Sequence, residues 1–533
     1  MKEDVQGVVN TWQNLRKRRH NLLLVFYSII VGILTGYVIV AYREGLDFLN
    51  TVRHITLLNV KETLSWMKIS QVVIIFIGAA IILQKLLSKF PLISGSGIPQ
   101  VKALLMKQIK FNWFYELISK FLGGLLSIGS GLSLGREGPS IHLGAQIGEG
   151  VNSFFKTKEA EKKYLITSGA SAGLAAAFNA PLSGVIFSLE ELHKFFSPLL
   201  LICTLLASIS ADFITKLYLG YDLVFDFDTQ LPEGLSTTKY LISLIVFGIF
   251  IGLAGKLFTD GVVLFQKLYK NIKLNSYVKA VLAILLSLFI GLFFSEIAGG
   301  GHHLIQDIAH RSIPMKVLFI LLIAKFIFTL FSYSTGFPGG IFLPMLVVGA
   351  ILGKIYGMFL VDVFGLEDVY GVHFMILGMA GYLTAVVRAP ITGIILILEM
   401  TGRFDHLFSL TLVATLAYVL TEFINLDPIY DILYRNMISN LFVKEKSPKK
   451  NSSKVTLLIP VIADSIFDGK HVFEISWPEN CLLVGIRREI REIIPKGMSK
   501  IKSGDFLIVL TDKRDAGTIS PKLYEMGTMA TVK

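Results

Sequence analysis

The amino-acid sequence predicts an all-α protein that crosses a membrane many times, contains an internal repeat with broken helices, and ends in a small α+β domain. The first observation is composition: of 533 residues, 53% are hydrophobic and 17% charged, and the mean hydropathy is +0.63. A soluble protein has too small a core to hide that much apolar surface, whereas a bilayer can accommodate it. The second observation is a repeated glycine and proline pattern, and the third is a change of composition after residue 442.

Long apolar segments account for most of the chain. Several approach the roughly 20 residues that span a bilayer, while others are shorter, which favours helices that stop inside the membrane. The segments that contain no Asp, Glu, Lys or Arg are Asn21–Tyr42, Ile69–Gln84, Phe195–Ala211, Tyr240–Gly255, Ala280–Ser295, Phe326–Gly353 and Tyr370–Val387.

A basic segment, residues 1–20, precedes the first apolar run. Its cluster Arg16–Arg19 predicts a cytoplasmic N-terminus, and the following run is longer than the apolar core of a signal peptide. The net charge of +12 is dispersed over loops. It therefore fits an anionic membrane surface better than nucleic acid, and no nucleic-acid partner is expected.

The chain divides into four regions. Residues 1–20 form the basic segment, 21–442 the membrane domain, 443–454 a charged linker and 455–533 a soluble tail. Short apolar or β-branched runs separated by turn residues predict a small α+β domain in the tail. These runs are Val455–Pro460, His471–Trp477, Cys481–Ile486 and Asp505–Thr511.

The membrane domain repeats itself, with halves at roughly 21–225 and 235–442. An internal repeat is typical of transporters, whose site lies where the halves meet near the midplane. The alternative is a chance likeness between Gly/Ala-rich helices. The matched pairs are Gly169 with Gly378, Leu174 with Leu383, Ala176 with Ala385, Pro181 with Pro390, Gly184 with Gly393, Glu190 with Glu399, Gly135 with Gly340, Pro139 with Pro344, Gly144 with Gly349, Ala145 with Ala350, and Gly148 with Gly353.

Three segments share one pattern, in which glycines precede a proline that opens an apolar helix: Gly95–Pro99, Gly135–Pro139 and Gly339–Pro344. Proline suits a first helical turn, and glycine allows a turn or the close approach of a ligand. The free amides of that turn lie at the positive end of the helix dipole, so converging helix starts would bind an anion. The alternative is a set of tight loops at the membrane surface.

Partial charges suit transport because the anion must be able to leave the site. The hydroxyl of Ser96 adds a donor, and Tyr430 could add another, although such a tyrosine is more often an interface aromatic.

Glu137 stands beside a helix start within apolar sequence. A carboxylate there is costly unless it has a role, and it could occupy the anion's own position and leave on protonation. Arg136 could instead be its ion-pair partner. Glu190 and Glu191 end the apolar helix that begins near Pro181. Glu190 is interpreted as structural because its repeat position is also Glu. Glu191, opposite Met400 in the repeat, is the candidate for handing protons to the interior.

Catalytic chemistry is not indicated. No nucleophile–base pair, metal cluster or phosphate loop stands out, so we expect neither an enzyme nor a cofactor. The two cysteines, Cys203 and Cys481, lie far apart in unlike regions. Neither a disulfide nor a metal site is expected.

These segments resemble the CLC family of chloride channels and chloride/proton antiporters. GSGIP at 95–99, GREGPSIHLG at 135–144 and GGIFLP at 339–344 resemble its three signature segments, in the family's order. The resemblance covers residues 20–440 and implies the family's fold, an inverted repeat with broken helices.

The resemblance also implies roles for single residues. Ser96 and Tyr430 would give hydroxyls to a central chloride, and the amides of Ile341 and Phe342 would complete the site, with the backbone of Gly138 and Gly340 beside it. Glu137 would be the external gate. Glu191 would be the internal proton acceptor, a position where passive channels of the family usually lack an acid.

The implied function is secondary-active exchange of chloride for protons, and the alternative is a passive voltage- or pH-gated chloride channel of the same fold. Ser96 favours chloride over nitrate, and intact signature segments disfavour fluoride. The implied assembly is a homodimer in a cell membrane, with both termini cytoplasmic.

The tail resembles the RCK C-terminal (TrkA C-terminal) regulatory module, through Asp468–Ile475 and Ser503–Leu510. Such modules pair with themselves and can bind small ligands. Two expectations stay open for the tail, a small regulatory ligand or stabilisation of a dimer without one.

Overall fold

The computed structural model divides into two units by its internal contacts. The first unit comprises Met1–Val101 and Phe111–Ile429, and the second comprises Lys102–Lys110 and Tyr430–Lys533. The structure describes residues 2–63, 65–110, 112–194, 196–227, 236–444, 454–488, 491–512 and 515–528. The interval 228–235 between the expected halves, and most of the expected linker 443–454, lie outside the described residues.

Helices make up the membrane part of the chain. They are α1 (Lys2–Thr63), α2 (Trp66–Lys89), α3 (Ile98–Leu105), α4 (Trp113–Gly129), α5 (Glu137–Phe155), α6 (Glu159–Phe178), α7 (Pro181–Phe187), α8 (Pro198–Leu219), α9 (Thr237–Asn271), α10 (Ser276–Phe293), α11 (His302–His310), α12 (Met315–Ser334), α13 (Phe342–Phe364), α14 (Val369–Val387), α15 (Pro390–Thr401), α16 (Leu407–Phe423) and α17 (Ile429–Lys444).

The chain is a multi-pass membrane protein. Nine helices within the described ranges are long and apolar enough to cross a bilayer. The basic segment 1–20 is continuous with the first of these, because α1 runs without a break from Lys2 to Thr63. Other helices are too short to span, including α3, α7 and α15. Proline is at or next to the first position of all three, and glycine lies shortly before α3, so these starts are encoded locally.

The expected repeat is present in the packing. In the first half, α5 packs on α6, and a Cβ added to Gly144 would lie 2.0 Å from the carbonyl oxygen of Gly169. In the second half, α13 packs on α14, and a Cβ added to Gly349 would lie 2.4 Å from the carbonyl oxygen of Gly378. Both contacts are too tight for a side chain, so the same small residue is required at corresponding places.

The tail forms a four-stranded antiparallel sheet in the order β1-β4-β2-β3. Its strands are β1 (Lys454–Pro460), β2 (Cys481–Arg488), β3 (Arg491–Ile493) and β4 (Asp505–Asp512), followed by the helix α18 (Ala516–Thr528). The core contains Leu457, Ile459, Val461, Phe467, Ile475, Ile486, Ile501, Leu507, Val509, Ala516, Ile519 and Leu523.

One of the four apolar runs of the tail does not form a strand. The run His471–Trp477 contains a short 3₁₀ turn, Val472–Glu474, instead of a strand. The amide of His471 donates to the Glu474 carboxylate over 2.6 Å, and the Trp477 indole donates to the Val472 carbonyl over 3.0 Å. These bonds, together with those from the amides of Val472 and Phe473 to the carbonyls of Ser499 and Gly497, hold the segment as a turn.

Candidate anion site

Backbone hydrogen bonds join the three glycine-rich segments. The amide of Gly135 donates to the carbonyl of Gly340 and the amide of Gly340 donates back, both over 2.7 Å, in an antiparallel bridge. The amide of Gly339 donates to the carbonyl of Gly95 over 3.0 Å, and the Gly95 amide donates to Gly336 over 3.1 Å. Segments far apart in sequence therefore meet as one structure.

The segments also touch through atoms that only glycine leaves room for. A Cβ added to Gly138 would lie 2.8 Å from the Ser96 Cβ and 2.9 Å from the Ser96 carbonyl oxygen. A Cβ added to Gly340 would lie 3.1 Å from the amide nitrogen of Gly138. The backbones of the three segments thus contact one another with no side chain between them, as a site lined by backbone amides requires.

Each segment ends in a helix start. The prolines lie within the first turns of α3, α5 and α13, at Pro99, Pro139 and Pro344. First-turn amides have no partner inside their own helix, and the dipole adds partial positive charge there. Three such starts brought together form a region that attracts an anion without a full positive charge.

Ser96, Ile341 and Phe342 are buried around this junction, with 1%, 0% and 0% of their surface exposed. The Ser96 hydroxyl accepts from the amide of Ile98 over 3.3 Å. The Phe342 ring packs 5.6 Å from the ring of Phe178, measured between centroids. Apolar side chains thus pack at the junction beside the Ser96 hydroxyl and the backbone polar groups of the glycine segments.

Glu137 is the first residue of α5 and is completely buried. A Cβ added to Gly135 would overlap its Oε2 atom, so the carboxylate folds back over the glycine segment. The backbone amides of Glu137 and Leu343 lie near the carboxylate, but neither of its oxygens has a hydrogen-bond partner among the described residues. Arg136 forms its ion pair with Asp47, at 3.8 Å. The carboxylate thus lies among helix-start amides that an anion would also use.

Glu190 and Glu191 occupy a π-helical turn, Ser188–His193, that follows α7. The Glu190 carboxylate accepts from the amides of Ile391 and Thr392 at the start of α15, over 3.2 and 2.8 Å. Its repeat counterpart, Glu399, accepts from the amides of Leu182 and Ser183 at the start of α7, over 2.9 and 2.7 Å. A glutamate from each half therefore caps the start of a short helix in the other half, which gives Glu190 a structural role.

Glu191 is buried, with 2% of its surface exposed. It is adjacent to Glu190, and successive residues point to different sides of a helix. It is one of several buried acids in the membrane domain, with Glu116, Glu137 and Asp212. It lies beside Glu190, whose carboxylate caps α15.

Tyr430 belongs to the second unit, where it is completely buried near the start of α17. Burial argues against the alternative that it is an aromatic at the membrane surface, because such residues keep one end in water.

Comparison with known proteins identifies the membrane domain. A sequence model described as "Voltage gated chloride channel" matches residues 75–422, more than half of the chain. The chain belongs to this CLC family. The TrkA-C domain matches residues 457–523, which agrees with the resemblance of the tail.

Solved CLC structures share the fold. One, titled as a slow cyanobacterial Cl⁻/H⁺ antiporter, superposes with a TM-score of 0.73 at 28% identity and covers 78% of this chain and 97% of its own. A eukaryotic CLC transporter gives 0.64 at 22% identity, covering 78% and 74%. A CLC-type fluoride/proton antiporter gives 0.64 at 22% identity, covering 75% and 95%. The last two indicate the fold alone.

Two buried lysines of this CLC protein escaped the sequence analysis. Lys120 donates to the carbonyls of Ile93 and Gly95 over 2.8 and 2.6 Å. Lys325 donates to the carbonyls of Ile297 and Gly299 in the other half, over 3.0 and 2.7 Å. The signal for both in the sequence was a charged residue inside an otherwise apolar helix. Lys120 thus holds the backbone just before Ser96, at one edge of the candidate site.

Within the parts of the chain that the structure describes, no group of three or more His, Cys, Asp or Glu side chains is arranged to hold a metal.

Proposed function

We propose that this CLC protein is a secondary-active transporter that exchanges chloride for protons across the membrane. The observation that carries the proposal is the buried Glu137 carboxylate among helix-start amides. A carboxylate and a chloride cannot share such a site. At 4 Å, two unit negative charges repel by about 4 kcal/mol at an effective dielectric constant of 20. Protonation removes this repulsion, so chloride binding and proton binding at Glu137 are linked.

The proposed chloride site uses the amides of Ile341 and Phe342, with the backbone of Gly138 and Gly340 beside it. The hydroxyls of Ser96 and Tyr430 add two donors. The support for these roles is the burial of the residues and the joining of the glycine segments. Chloride fits this donor set because it is a single charged atom that accepts from several directions.

Glu191 is proposed to receive protons on the internal side. Its burial supports the proposal, since an ionisable residue buried within a membrane domain is costly and often marks a proton route. The likeness to a cyanobacterial Cl⁻/H⁺ antiporter is further support.

The second candidate is a passive chloride channel, the function that the family description names. A channel also needs the anion site and a gate, and Glu137 would then act as a gate without coupling chloride to protons. Glu191 distinguishes the two, because a passive channel has no use for an internal proton acceptor.

Assembly and topology complete the proposal. The protein is a homodimer in a cell membrane, with both termini in the cytoplasm, and its repeats occupy residues 21–225 and 235–442. The TrkA-C domain regulates transport. It either binds a small ligand or stabilises the dimer without one.

The test is reconstitution in liposomes under a chloride gradient, with voltage clamped by potassium and valinomycin, while external pH and chloride are recorded. Protons moving against their own gradient establish exchange. Glu137→Gln is expected to keep some chloride flux and lose proton movement, because glutamine cannot titrate. Glu191→Gln is expected to do the same by interrupting the internal proton route. Glu296→Gln, at an exposed position, is the matched control and should behave as wild type.

Chloride flux without proton movement in the wild type would contradict exchange and favour the channel. Proton transport at the wild-type rate in Glu137→Gln or Glu191→Gln would exclude that residue's role.

A further inference from the structure

A polar link connects the tail to the loop that follows α3. The Gln108 amide nitrogen donates to the Ser520 hydroxyl over 3.0 Å, and its amide oxygen accepts from the Tyr434 hydroxyl over 2.5 Å. Ser520 lies on α18 and Tyr434 on α17, and Gln108 belongs to the same unit as both. One side chain thus bridges the regulatory domain and the last helix before it. Both the nitrogen and the oxygen of the Gln108 amide form hydrogen bonds, because a hydroxyl group can either accept or donate one.

The domain side of the link is fixed to the segment that follows β1 and to the core of the tail. The amide of Ile462 donates to the carbonyl of Gly527 over 2.9 Å, and the amide of Ile466 donates to that of Met526 over 3.1 Å. Leu523 is completely buried in the core of the tail. A displacement of the sheet therefore carries α18, and Ser520 with it.

The loop side is also rigid. Lys107 adopts a left-handed conformation with φ of 58°. The Lys107 amide donates to the Leu104 carbonyl over 3.0 Å, and the Gln108 amide donates to the Ala103 carbonyl over 2.9 Å. This pair of bonds closes the C-terminus of α3 in a Schellman motif. Gln108 is therefore attached to α3 through a closed turn, and a pull on its side chain acts on the helix.

An ion pair between a buried lysine and a partly buried aspartate joins the middle of α3 to the first turn of α17. The Lys102 ammonium lies 2.6 Å from the Asp431 carboxylate, and 2% of the Lys102 side chain is exposed. Ser96 comes two residues before α3, and Tyr430 comes directly before Asp431. Separating a pair with one buried charge is costly, so the two helices are expected to move together.

Tyr434 lies one helical turn after Tyr430, on the same face of α17. A hydrogen bond held at Tyr434 therefore limits rotation of the helix that carries the Tyr430 hydroxyl.

We infer that the C-terminal domain controls chloride affinity through Ser520, Gln108 and Tyr434, which set the position of α3 and α17. The inference rests on the proposed use of Ser96 and Tyr430 as chloride donors. Gln108, Tyr434 and the Lys102–Asp431 pair are positioning residues. A tail that shifts α18 changes the geometry of two of the chloride donors without touching the ion.

The experiment is a double-mutant cycle on the full-length protein in liposomes, with chloride flux recorded against chloride concentration. Ser520→Ala is expected to raise the half-saturating chloride concentration about fivefold, the equivalent of one net hydrogen bond, with the maximal rate nearly unchanged. Gln108→Leu removes both bonds and should raise it at least as much. The double variant should match Gln108→Leu, because both changes break one link.

Matched controls separate the link from general damage. Thr518→Ala on α18 and Ser439→Ala on α17 remove exposed hydroxyls that bond only within their own segments. Both should leave the chloride dependence unchanged. Ser520→Thr keeps the hydroxyl and should restore wild-type affinity. If Gln108→Leu fails to fold, the pair Ser520→Ala and Ser520→Thr decides the question alone.

Wild-type chloride dependence in Ser520→Ala would overturn the inference, as would effects that multiply in the double variant. Chloride flux alone is measured, so the outcome is distinguishable from a failure of proton exchange. A protein that passes chloride without protons contradicts the proposed exchange and leaves the link testable.

Discussion

Replacing Glu190 with glutamine tests the reciprocal capping of the two halves. The Glu190 carboxylate holds the start of α15 through three bonds, from the amides of Ile391 and Thr392 and from the Thr392 hydroxyl at 2.7 Å. The neutral amide keeps one oxygen but turns an NH₂ group toward a backbone donor. The expected result is a less stable protein with intact proton coupling, because Glu190 is structural.

The magnitude follows from what is lost. One hydrogen bond to a charged acceptor is worth about 1.5–3 kcal/mol, and a negative charge at a helix N-terminus adds about 0.3–1 kcal/mol. A total of about 2 kcal/mol is a conservative figure, which corresponds to about thirtyfold in a rate constant at 1.36 kcal/mol per decade. The repeat counterpart predicts the same size, since Glu399 accepts the equivalent three bonds from Leu182 and Ser183.

The assay is irreversible thermal inactivation of detergent-solubilised protein, read as the half-life of the folded form at one temperature. Glu190→Gln and Glu399→Gln should each shorten the half-life about tenfold to thirtyfold. The control Glu296→Gln, at an exposed position, should not change it. Transport by the surviving protein should still couple chloride to protons.

A Glu190→Gln protein with the wild-type half-life would refute the capping argument. Loss of proton movement in a stable Glu190→Gln protein would refute the division of roles between Glu190 and Glu191.

Three further substitutions test the site and the tail. Gly138→Ala should reduce chloride flux at least tenfold, because the new Cβ would lie 2.8 Å from that of Ser96; flux assays in liposomes measure this. Lys120→Met should destabilise the protein by about 3 kcal/mol, since it leaves two buried carbonyls without their donor, as inactivation rates would reveal. Arg488→Ala should destabilise the tail by about 2–4 kcal/mol, because the buried Asp505 loses a bidentate partner at 2.7 Å; local hydrogen exchange measures this.

Each of these three substitutions has a control, in which the same type of residue is changed in the same way at an exposed or uncrowded position. Gly78→Ala adds a methyl group to open space and should not alter flux. Lys316→Met removes an exposed amino group and should leave stability within about 0.5 kcal/mol. Arg487→Ala breaks a pair with the exposed Glu492 and should cost at most about 1 kcal/mol. Equal effects in a variant and its control would contradict the reasoning for that site.

Simple patterns in the sequence were sufficient to predict the architecture of the protein. Apolar runs and repeated glycines predict a multi-pass membrane protein with two related halves, and the contacts of Gly144 with Gly169 and of Gly349 with Gly378 explain why those glycines recur. The tail was predicted as α+β from short apolar runs, and three of the four runs are strands. The fourth, His471–Trp477, is a turn, because side-chain bonds within it and backbone bonds to residues 497–499 hold it in that form.

The sequence by itself determined where helices start, since glycine and proline act on their own backbone and its nearest neighbours. Only the tertiary structure decided which starts meet. The bridge between Gly135 and Gly340, the Lys120 bonds that hold the Ser96 segment, and the exchange of caps by Glu190 and Glu399 join residues distant along the chain. No periodicity records these partners, because each bond depends on how whole helices pack and on which buried donors then need acceptors.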